Sequence, residues 1–585
     1  MELKISMIEF QVPEKVHSYI INLVEKQDWY CDMDRAIISA RMKTMADEFF
    51  IKGVMLSVAI GFAGILVSYL FYIFQTGLTT VPVILTVYAV MILIPVICFY
   101  MSLTFIISYP KVQATERGKI IDEKMPAFAS HMAILLQNNS NLLDAFEFID
   151  KSKLYGEICE EIEIILRRTA FNINFIDAIQ EVARTTSSYE FRKYLNGIVE
   201  TTLNVGTLAI HLKNTSENLN RLLSTKTKEH AQNRAALIEI YTVSVVMMPL
   251  MILLALMTTA LMGSEIQVGD AVVYGYIPFA SIVFILMAER EIKMEVKPER
   301  TAAKETGKGK GKNNDKNKLK EKFNINDYLN TEDGRLAVGA IAGLPVAYLA
   351  MHSGLGIDTT IMVFFIVAIL PYGLYWRGEV NRLHKEEEAM PIFLRNVADR
   401  NRMGYGMTEI FEPSPVYEHI NKKVKKIYGL LKMGENLETA ISMLNEKGSY
   451  IMTRGAGIIN DALRCGGNIS KILESVGEDI QNSININREV EGDMKMNTKM
   501  IMATYFLFVG ITWLINSMFF KAFSAPGASV PLDMEYYRRL FYHSCALTGI
   551  FAGLVISRYE QGDLRPGLVF SSIFTFITVV VFRYV

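Results

Sequence analysis

Nine apolar stretches without a single Asp, Glu, Lys or Arg dominate this sequence: residues 53–74, 81–109, 240–262, 271–288, 336–351, 359–376, 500–520, 541–557 and 567–582. A hydrocarbon core of roughly 30 Å is crossed by about 20 apolar residues of helix, and each backbone group left unpaired there costs several kcal/mol. The pattern predicts an all-α polytopic membrane protein with about nine transmembrane helices. Several stretches run to only 16–18 residues, short against that thickness, with 336–351 and 567–582 the shortest. A hydrophobic content of 51% and a mean hydropathy of +0.23 agree with a membrane chain.

Charge sets the expected orientation. With the N-terminus in the cytoplasm, the outer loops are 75–80, 263–270, 352–358 and 521–540, plus the last three residues. Of all the basic residues, only Lys521, Arg538, Arg539 and Arg583 then lie outside, the bias expected where Lys and Arg resist translocation. The first 52 residues carry charges throughout, among them Glu14, Lys15, Glu25, Asp32, Asp34 and Arg35, so no cleaved signal peptide is expected. The net charge of −1, from 60 basic against 61 acidic residues, gives no bulk attraction to nucleic acid. Cys31, Cys98, Cys159, Cys465 and Cys545 form no C-x-x-C pair and read as buried thiols rather than a zinc site or a disulfide framework.

The chain repeats itself. Glu123-Lys-Met125-Pro126-Ala-Phe128 is echoed by Glu388-Ala-Met390-Pro391-Ile-Phe393, and Asn141-Leu-Leu-Asp144-Ala-Phe146 by Gly406-Met-Thr-Glu409-Ile-Phe411. Phe175-Ile-Asp-Ala178-Ile179 answers to Leu437-Glu-Thr-Ala440-Ile441. The stretch from Gly206 to Leu219 answers to that from Gly467 to Ile480. Ile158, Ile162, Ile165 and Leu166 in one copy, and Ile469, Ile472, Leu473, Val476, Ile480 and Ile484 in the other, recur at helical spacing, and no sustained period-2 alternation intervenes. Two duplicated cytoplasmic helical bundles are expected.

The organisation that follows is a cytoplasmic helical segment at 1–52, a membrane hairpin at 53–110, a bundle at 111–239 and a second hairpin at 240–288. A charged linker at 289–335, a third hairpin at 336–376, a second bundle at 377–499 and three membrane helices at 500–585 complete it. Within the linker, residues 300–322 hold nine basic and three acidic residues with a Gly-Lys repeat, too polar to bury a core. Prolines 95, 249, 278, 345 and 371 lie inside the spans and are expected to kink them.

The residues of enzyme chemistry are missing from the pattern. There is no G-x-x-x-x-G-K-[ST] loop to cradle phosphate, and the eight histidines make no H-E-x-x-H or H-x-x-x-H pair. No catalytic, cofactor-binding or metal-binding residue is expected. His543 stands alone in its span and reads as satisfied by packing. Charge-free spans also disfavour an ion-coupled transporter, which normally carries ionisable groups at membrane depth.

The Met-Pro-x-Phe opening, the helix ending at Gly206 or Gly467 and the Leu-rich helix leading into an apolar span together resemble the cytoplasmic domain of type II secretion protein F, shared by GspF, PilC, the TadC-type platforms and the archaellum protein FlaJ. The resemblance covers roughly residues 111–262 and 377–520. The nine-span layout is most similar to FlaJ-like and Tad-like members. It implies a non-enzymatic adaptor of an archaellum, type IV pilus or type II secretion machine, on which a cytoplasmic hexameric ATPase docks and which passes its strokes to pilin-like or archaellin subunits. It further implies a homo-oligomer, taken as a dimer, in the cytoplasmic membrane. A transporter built from repeated halves and a membrane scaffold without ATPase coupling stand as alternatives.

One candidate contact surface follows from charge. Lys422, Lys423, Lys425 and Lys426 form the densest basic cluster of the second bundle. Val424, Ile427 and Leu431 are expected to pack inward and leave the four lysines facing water. The corresponding part of the first copy is acidic, with Glu157, Glu160, Glu161 and Glu163. That contrast could orient a partner ATPase or the other bundle, since charge complementarity mainly sets register and on-rate.

Overall fold

A computed structural model describes residues 27–583 apart from 76–80, 138–140, 204–207, 262–267, 295–331, 353–355, 446–448, 465–467 and 524–533. Every regular element among the described residues is helical. The Gly-Lys linker, Gly206, Gly467 and Cys465 lie outside them.

The chain divides into two compact units, residues 1–219 and 220–585. The first opens with α1 (Asp28–Ser39), α2 (Ala46–Gln75) and α3 (Val81–Gln137). α2 and α3 form an antiparallel hairpin in which Gly53 faces Ile106, Gly61 faces Phe99 and Gly64 faces Pro95 and Cys98. Small residues at such a seam let two membrane helices approach closely. At 57 residues, α3 extends about 85 Å at 1.5 Å per residue, far beyond the hydrocarbon core. Its second half therefore leaves the membrane and becomes the first strut of a helical bundle. α4 (Leu142–Ser152), α5 (Glu157–Ala170), α6 (Phe175–Thr185), α7 (Tyr189–Leu203) and the start of α8 (Leu208–Tyr241) complete that bundle.

The repeated Met-Pro-x-Phe motif explains the bundle core. Met125 and Phe128 are fully buried, and the Phe128 ring meets Tyr155, Phe191 and Tyr194 edge-on at centroid distances of 5.8, 6.0 and 5.5 Å. Burying an aromatic side chain of this size contributes about 1.5–3 kcal/mol. Ile158, Ile162 and Ile165 of α5 are buried as their spacing predicts.

In the second unit α8 runs through a π-helical turn (Thr242–Met247) into α9 (Met248–Leu261), and a second π turn (Ala271–Tyr276) opens α10 (Ile277–Met294). Pro249 and Pro278 each stand two residues beyond a π turn. A proline lacks the N–H and clashes with the carbonyl four residues back, so these two sites resolve the conflict as π turns. Tyr276 of one turn donates its hydroxyl to the Ser244 carbonyl of the other at 3.0 Å. Pro95, Pro345 and Pro371 instead lie inside continuous α-helices.

α11 (Glu332–His352) and α12 (Ile357–Arg402) come next, then short 3-10 turns at Glu409–Phe411 and Pro415–Tyr417. α13 (Asn421–Lys432), α14 (Leu437–Ile441) with the 3-10 turn Ser442–Asn445, and α15 (Tyr450–Arg464) lead into the 55-residue α16 (Ile469–Phe523). α17 (Met534–Gln561) and α18 (Gly567–Arg583) close the chain. Phe393 is the ring hub here, 6.2 Å from Phe411 and 5.3 Å from Tyr417. The membrane part has its own core, in which the Tyr505 hydroxyl bonds the Phe574 carbonyl at 2.9 Å and Thr578 at 2.6 Å. The Tyr559 hydroxyl donates to the Phe284 carbonyl at 3.2 Å.

Among the described residues, seven helices are long and apolar enough to cross a membrane, and Ile341–His352 and Gly567–Arg583 are shorter apolar helices. The protein is an all-α, multi-pass membrane protein.

Candidate functional site

The charge clusters singled out from the sequence lie on α5 and α13, and the structure divides each of them. Glu161 is fully buried. Its carboxylate bonds Arg41 Nη2 at 2.6 Å and Arg117 Nη1 at 2.5 Å. Arg117, itself buried, reaches Glu160 at 2.9 Å and the Glu157 carbonyl at 3.3 Å. Arg41 follows α1 and carries a positive φ of 52°, and it also donates to Thr185 at 3.0 Å. One buried carboxylate therefore ties the N-terminal segment, α3, α5 and the end of α6 together.

The other glutamates are paired too. Glu157 meets Lys124 at 3.2 Å, and Glu163 meets Arg167 at 2.6 Å and Lys153 at 3.5 Å. The hydrogen bond from Arg167, then Lys153, holds the Glu163 carboxyl below the ordinary glutamate range. Asp150 beside Lys153 raises that ammonium above its usual value. The acidic cluster is thus not an open anionic face; it is spent on pairs within its own bundle.

On α13 the expectation that all four lysines face water is corrected. Lys422, Lys425 and Lys426 are exposed, but Lys423 is buried. Its ammonium lies 3.1 Å from Glu386 on α12 and donates to the Leu444 carbonyl at 3.2 Å. Glu386 is also held by Arg382, which bonds Glu379 at 2.6 Å. The physical reason is helical phase. Lys423 stands four residues before Ile427 and eight before Leu431, on the stripe that packs inward, so its neighbours in sequence point elsewhere. A second buried pair, Arg454 with Asp479 at 2.5 Å, joins α15 to α16, and Ser483 adds a bond at 3.0 Å.

Sequence reasoning passed over Arg41, Arg117, Glu386, Arg454 and Asp479. A signal for two of them existed: Arg117 leads the buried series Ile121, Met125 and Phe128 at helical spacing, and Glu386 leads Met390, Phe393 and Val397. A charge on an apolar stripe calls for a partner across the core.

Other expectations change as well. Cys31 is exposed and Cys98 half-buried, whereas Cys159 and Cys545 are buried. Burial pushes the Cys159 thiol up to about 11. His543 is not merely packed: Nδ1 meets the Tyr274 hydroxyl, and Nε2 lies 3.4 Å from Asp358. Arg234, six residues before the apolar span that begins at Ile240, is buried and donates to the Tyr559 carbonyl at 3.4 Å. Among the described residues no three His, Cys, Asp or Glu side chains are grouped to hold a metal ion.

Residues 128–256, spanning the first bundle from Phe128 to the membrane part of α9, match the family model described as type II secretion system (T2SS), protein F. Over that stretch the chain is similar to the type II secretion system protein F domain. Over 484 residues, 79% of its own length and 79% of the relative's, it is 21% identical to MJ1286 of Methanocaldococcus jannaschii, described as an uncharacterised protein. No solved structure matches it.

Proposed function

We propose that this protein is the inner-membrane platform of an archaellum, type IV pilus or type II secretion machine, coupling a cytoplasmic hexameric ATPase to the assembly of pilin-like subunits. The observation that carries the reading is helix continuity. α3, α12 and α16 run without interruption from apolar spans into the bundles, and α8 enters the membrane through a π turn. A force applied to a bundle is then delivered to membrane helices with no flexible joint between.

The N-terminus and both bundles face the cytoplasm in this reading, as the distribution of Lys and Arg favours. The two bundles are copies of one ancestral domain, supported by the matching helix order and by Phe128 and Phe393 as ring hubs of the two motifs. Lys422, Lys425 and Lys426 form the partner-facing surface, and the platform works as a dimer without catalytic residues of its own. The test is purification from native membranes. The platform should bring down a secretion ATPase and pilin-like proteins, and reversing the three exposed lysines to Glu should weaken ATPase recovery in a salt-sensitive way. Recovery of neither partner class from wild-type membranes would refute the platform reading.

A further inference from the structure

Contacts along the long helices of the second bundle locate its end farthest from the apolar spans. His384 lies 3.5 Å from Glu491, Arg488 2.7 Å from Glu388, and Asn401 Nδ2 2.7 Å from Ser470 Oγ. α12 and α16 therefore run antiparallel, and the end of one meets the start of the other. Arg464, five residues before α16 begins, bonds Glu438 of α14 at 3.1 Å, which brings α14 to the same end. Arg402 stands 25 residues beyond Arg377, the first charge after the apolar part of α12. At a helical rise of about 1.5 Å per residue that is about 40 Å along the helix.

Large apolar side chains are turned to solvent at this end. Met403 is 73% and Met433 83% exposed, and Tyr405 and Met407 are exposed as well. The two outermost methionines occupy one local structure used twice: α12 closes as Arg402-Met403-Gly404 and α13 as Lys432-Met433-Gly434. The glycines take φ of 83° and 85°. The residue after each donates back into its helix, Tyr405 N to the Arg400 carbonyl at 3.3 Å and Glu435 N to the Leu430 carbonyl at 3.1 Å. Such a stop calls for the glycine, and nothing in it calls for a methionine in front. The first bundle repeats the display. Four residues before the matched pair Phe175 and Leu437 stand Phe171 and Met433; Phe171 is 76% exposed and precedes Asn172, whose φ is 63°.

We propose that Met403, Tyr405, Met407 and Met433 form the apolar centre of a docking surface for an acidic, water-soluble protein. Distance from the apolar spans rules out lipid chains as their cover. Charge selects the partner: residues 421–437 hold five lysines and one acid, Glu435, and of those lysines only Lys423 is buried. Lys422, Lys425, Lys426 and Lys432 are exposed on the helix that ends at Met433. A symmetric contact with a second copy would set this basic face against itself. The acidic stretch of the first bundle offers a second copy no complement either, since Glu157, Glu160, Glu161 and Glu163 are engaged by basic groups of their own bundle. Unbranched thioethers fit irregular clefts, and the lysines set orientation and on-rate. That the acidic partner is the ATPase rests on the platform reading; the surface itself does not.

The experiment places a photo-crosslinking residue at Met403, Met433 or Met496 of the full chain in native membranes and identifies the adducts by mass spectrometry. Met496, 75% exposed but only four residues before the apolar span that begins at Met500, is the control. Positions 403 and 433 should capture one and the same acidic soluble protein, and position 496 should not. With that protein purified and the platform in nanodiscs, Met403→Ser and Met433→Ser should each weaken binding roughly tenfold, the effect of removing an anchor side chain. Lys425→Glu should slow association at low salt and matter less at high salt, and Met496→Ser should change nothing. Adducts with a second copy of the chain, with lipid, or with no protein at either position would overturn the surface, as would affinities of both methionine variants equal to wild type. An ATPase that copurifies but crosslinks elsewhere would strike the surface and leave the platform reading standing. An acidic partner at both positions that is not an ATPase would do the reverse.

Discussion

The two bundles meet the same packing problem with opposite charge. In the first, an arginine of the long helix, Arg117, reaches across to a buried glutamate of the third helix, Glu161. In the second, a glutamate of the long helix, Glu386, receives a buried lysine, Lys423. The repeat register of 265 sets Arg117 against Arg382, and both arginines remain at work. Arg117 crosses to α5 directly, while Arg382 holds Glu386, which makes the crossing in its place. What the two bundles have in common at such a place is neutralisation of a buried charge, because an unpaired charge inside is strongly destabilising whichever sign it carries. The sign itself is free to invert.

The comparison breaks most visibly at Glu161. Glu161→Ala leaves Arg41 and Arg117 facing each other without their acid, and the expected loss is about 3–5 kcal/mol. Thermal unfolding of the purified protein in detergent should show it as a large drop in midpoint. A midpoint unchanged from wild type would mean that the network is not holding the first bundle.

Lys423→Ala should cost less, about 1–3 kcal/mol, because Arg382 remains to neutralise Glu386. The exchange Glu386→Lys with Lys423→Glu sharpens the point: it keeps a crossing pair but sets a lysine beside Arg382, so it should recover only part of the loss measured for Lys423→Glu alone. Full recovery would show that Arg382 contributes nothing to the crossing. Lys425→Glu, two residues on and on the exposed face, should leave the midpoint within about 0.5 kcal/mol of wild type. Chemical denaturation of the two α13 variants side by side measures the difference between a core lysine and a surface lysine.

The smallest effect belongs to the rim of the first bundle. The Glu163 carboxyl is lowered by Arg167 and Lys153, so its contribution is fully present above the unfolded glutamate pKa of about 4.3 and fades as pH falls through its lower folded value. Lys153, raised by Asp150, contributes below about pH 10.4 and loses its part as pH climbs through the folded value. The hydrogen-exchange protection factors at the C-terminal half of α5, corrected for the intrinsic pH dependence of exchange, should therefore be steady between those limits and fall at both ends. A Glu163→Gln variant should lose the acid-side change and keep most of the base-side one, since Asp150 contributes more than Glu163 to raising Lys153.

Much of this was legible without coordinates. Charge-free apolar runs admit little except membrane helices, because nothing else satisfies the backbone in hydrocarbon. The periodicity of Ile158, Ile162 and Ile165 gave the buried face of α5, and the doubled Met-Pro-x-Phe motif marked the residues that became ring hubs. The eight charged residues of the candidate surface were another matter. They were grouped by adjacency along the chain, yet successive residues on a helix point about 100° apart, so Lys423 and Lys425 share a cluster in sequence and not in space.

The sequence by itself thus determined which segments are apolar enough to cross a membrane, that the described elements are helical, and which positions recur, since each is a matter of local composition and period. Only the tertiary structure decided which charges are structural and which are free. A charge is buried or exposed according to what lies across from it, as Arg41 lies across 120 residues from Glu161. It also decided that Pro249 and Pro278 would yield π turns, while Pro95 and Pro371 stay inside continuous α-helix. Local sequence offers each proline the same missing hydrogen bond, and the helices packed around it choose how that bond is replaced.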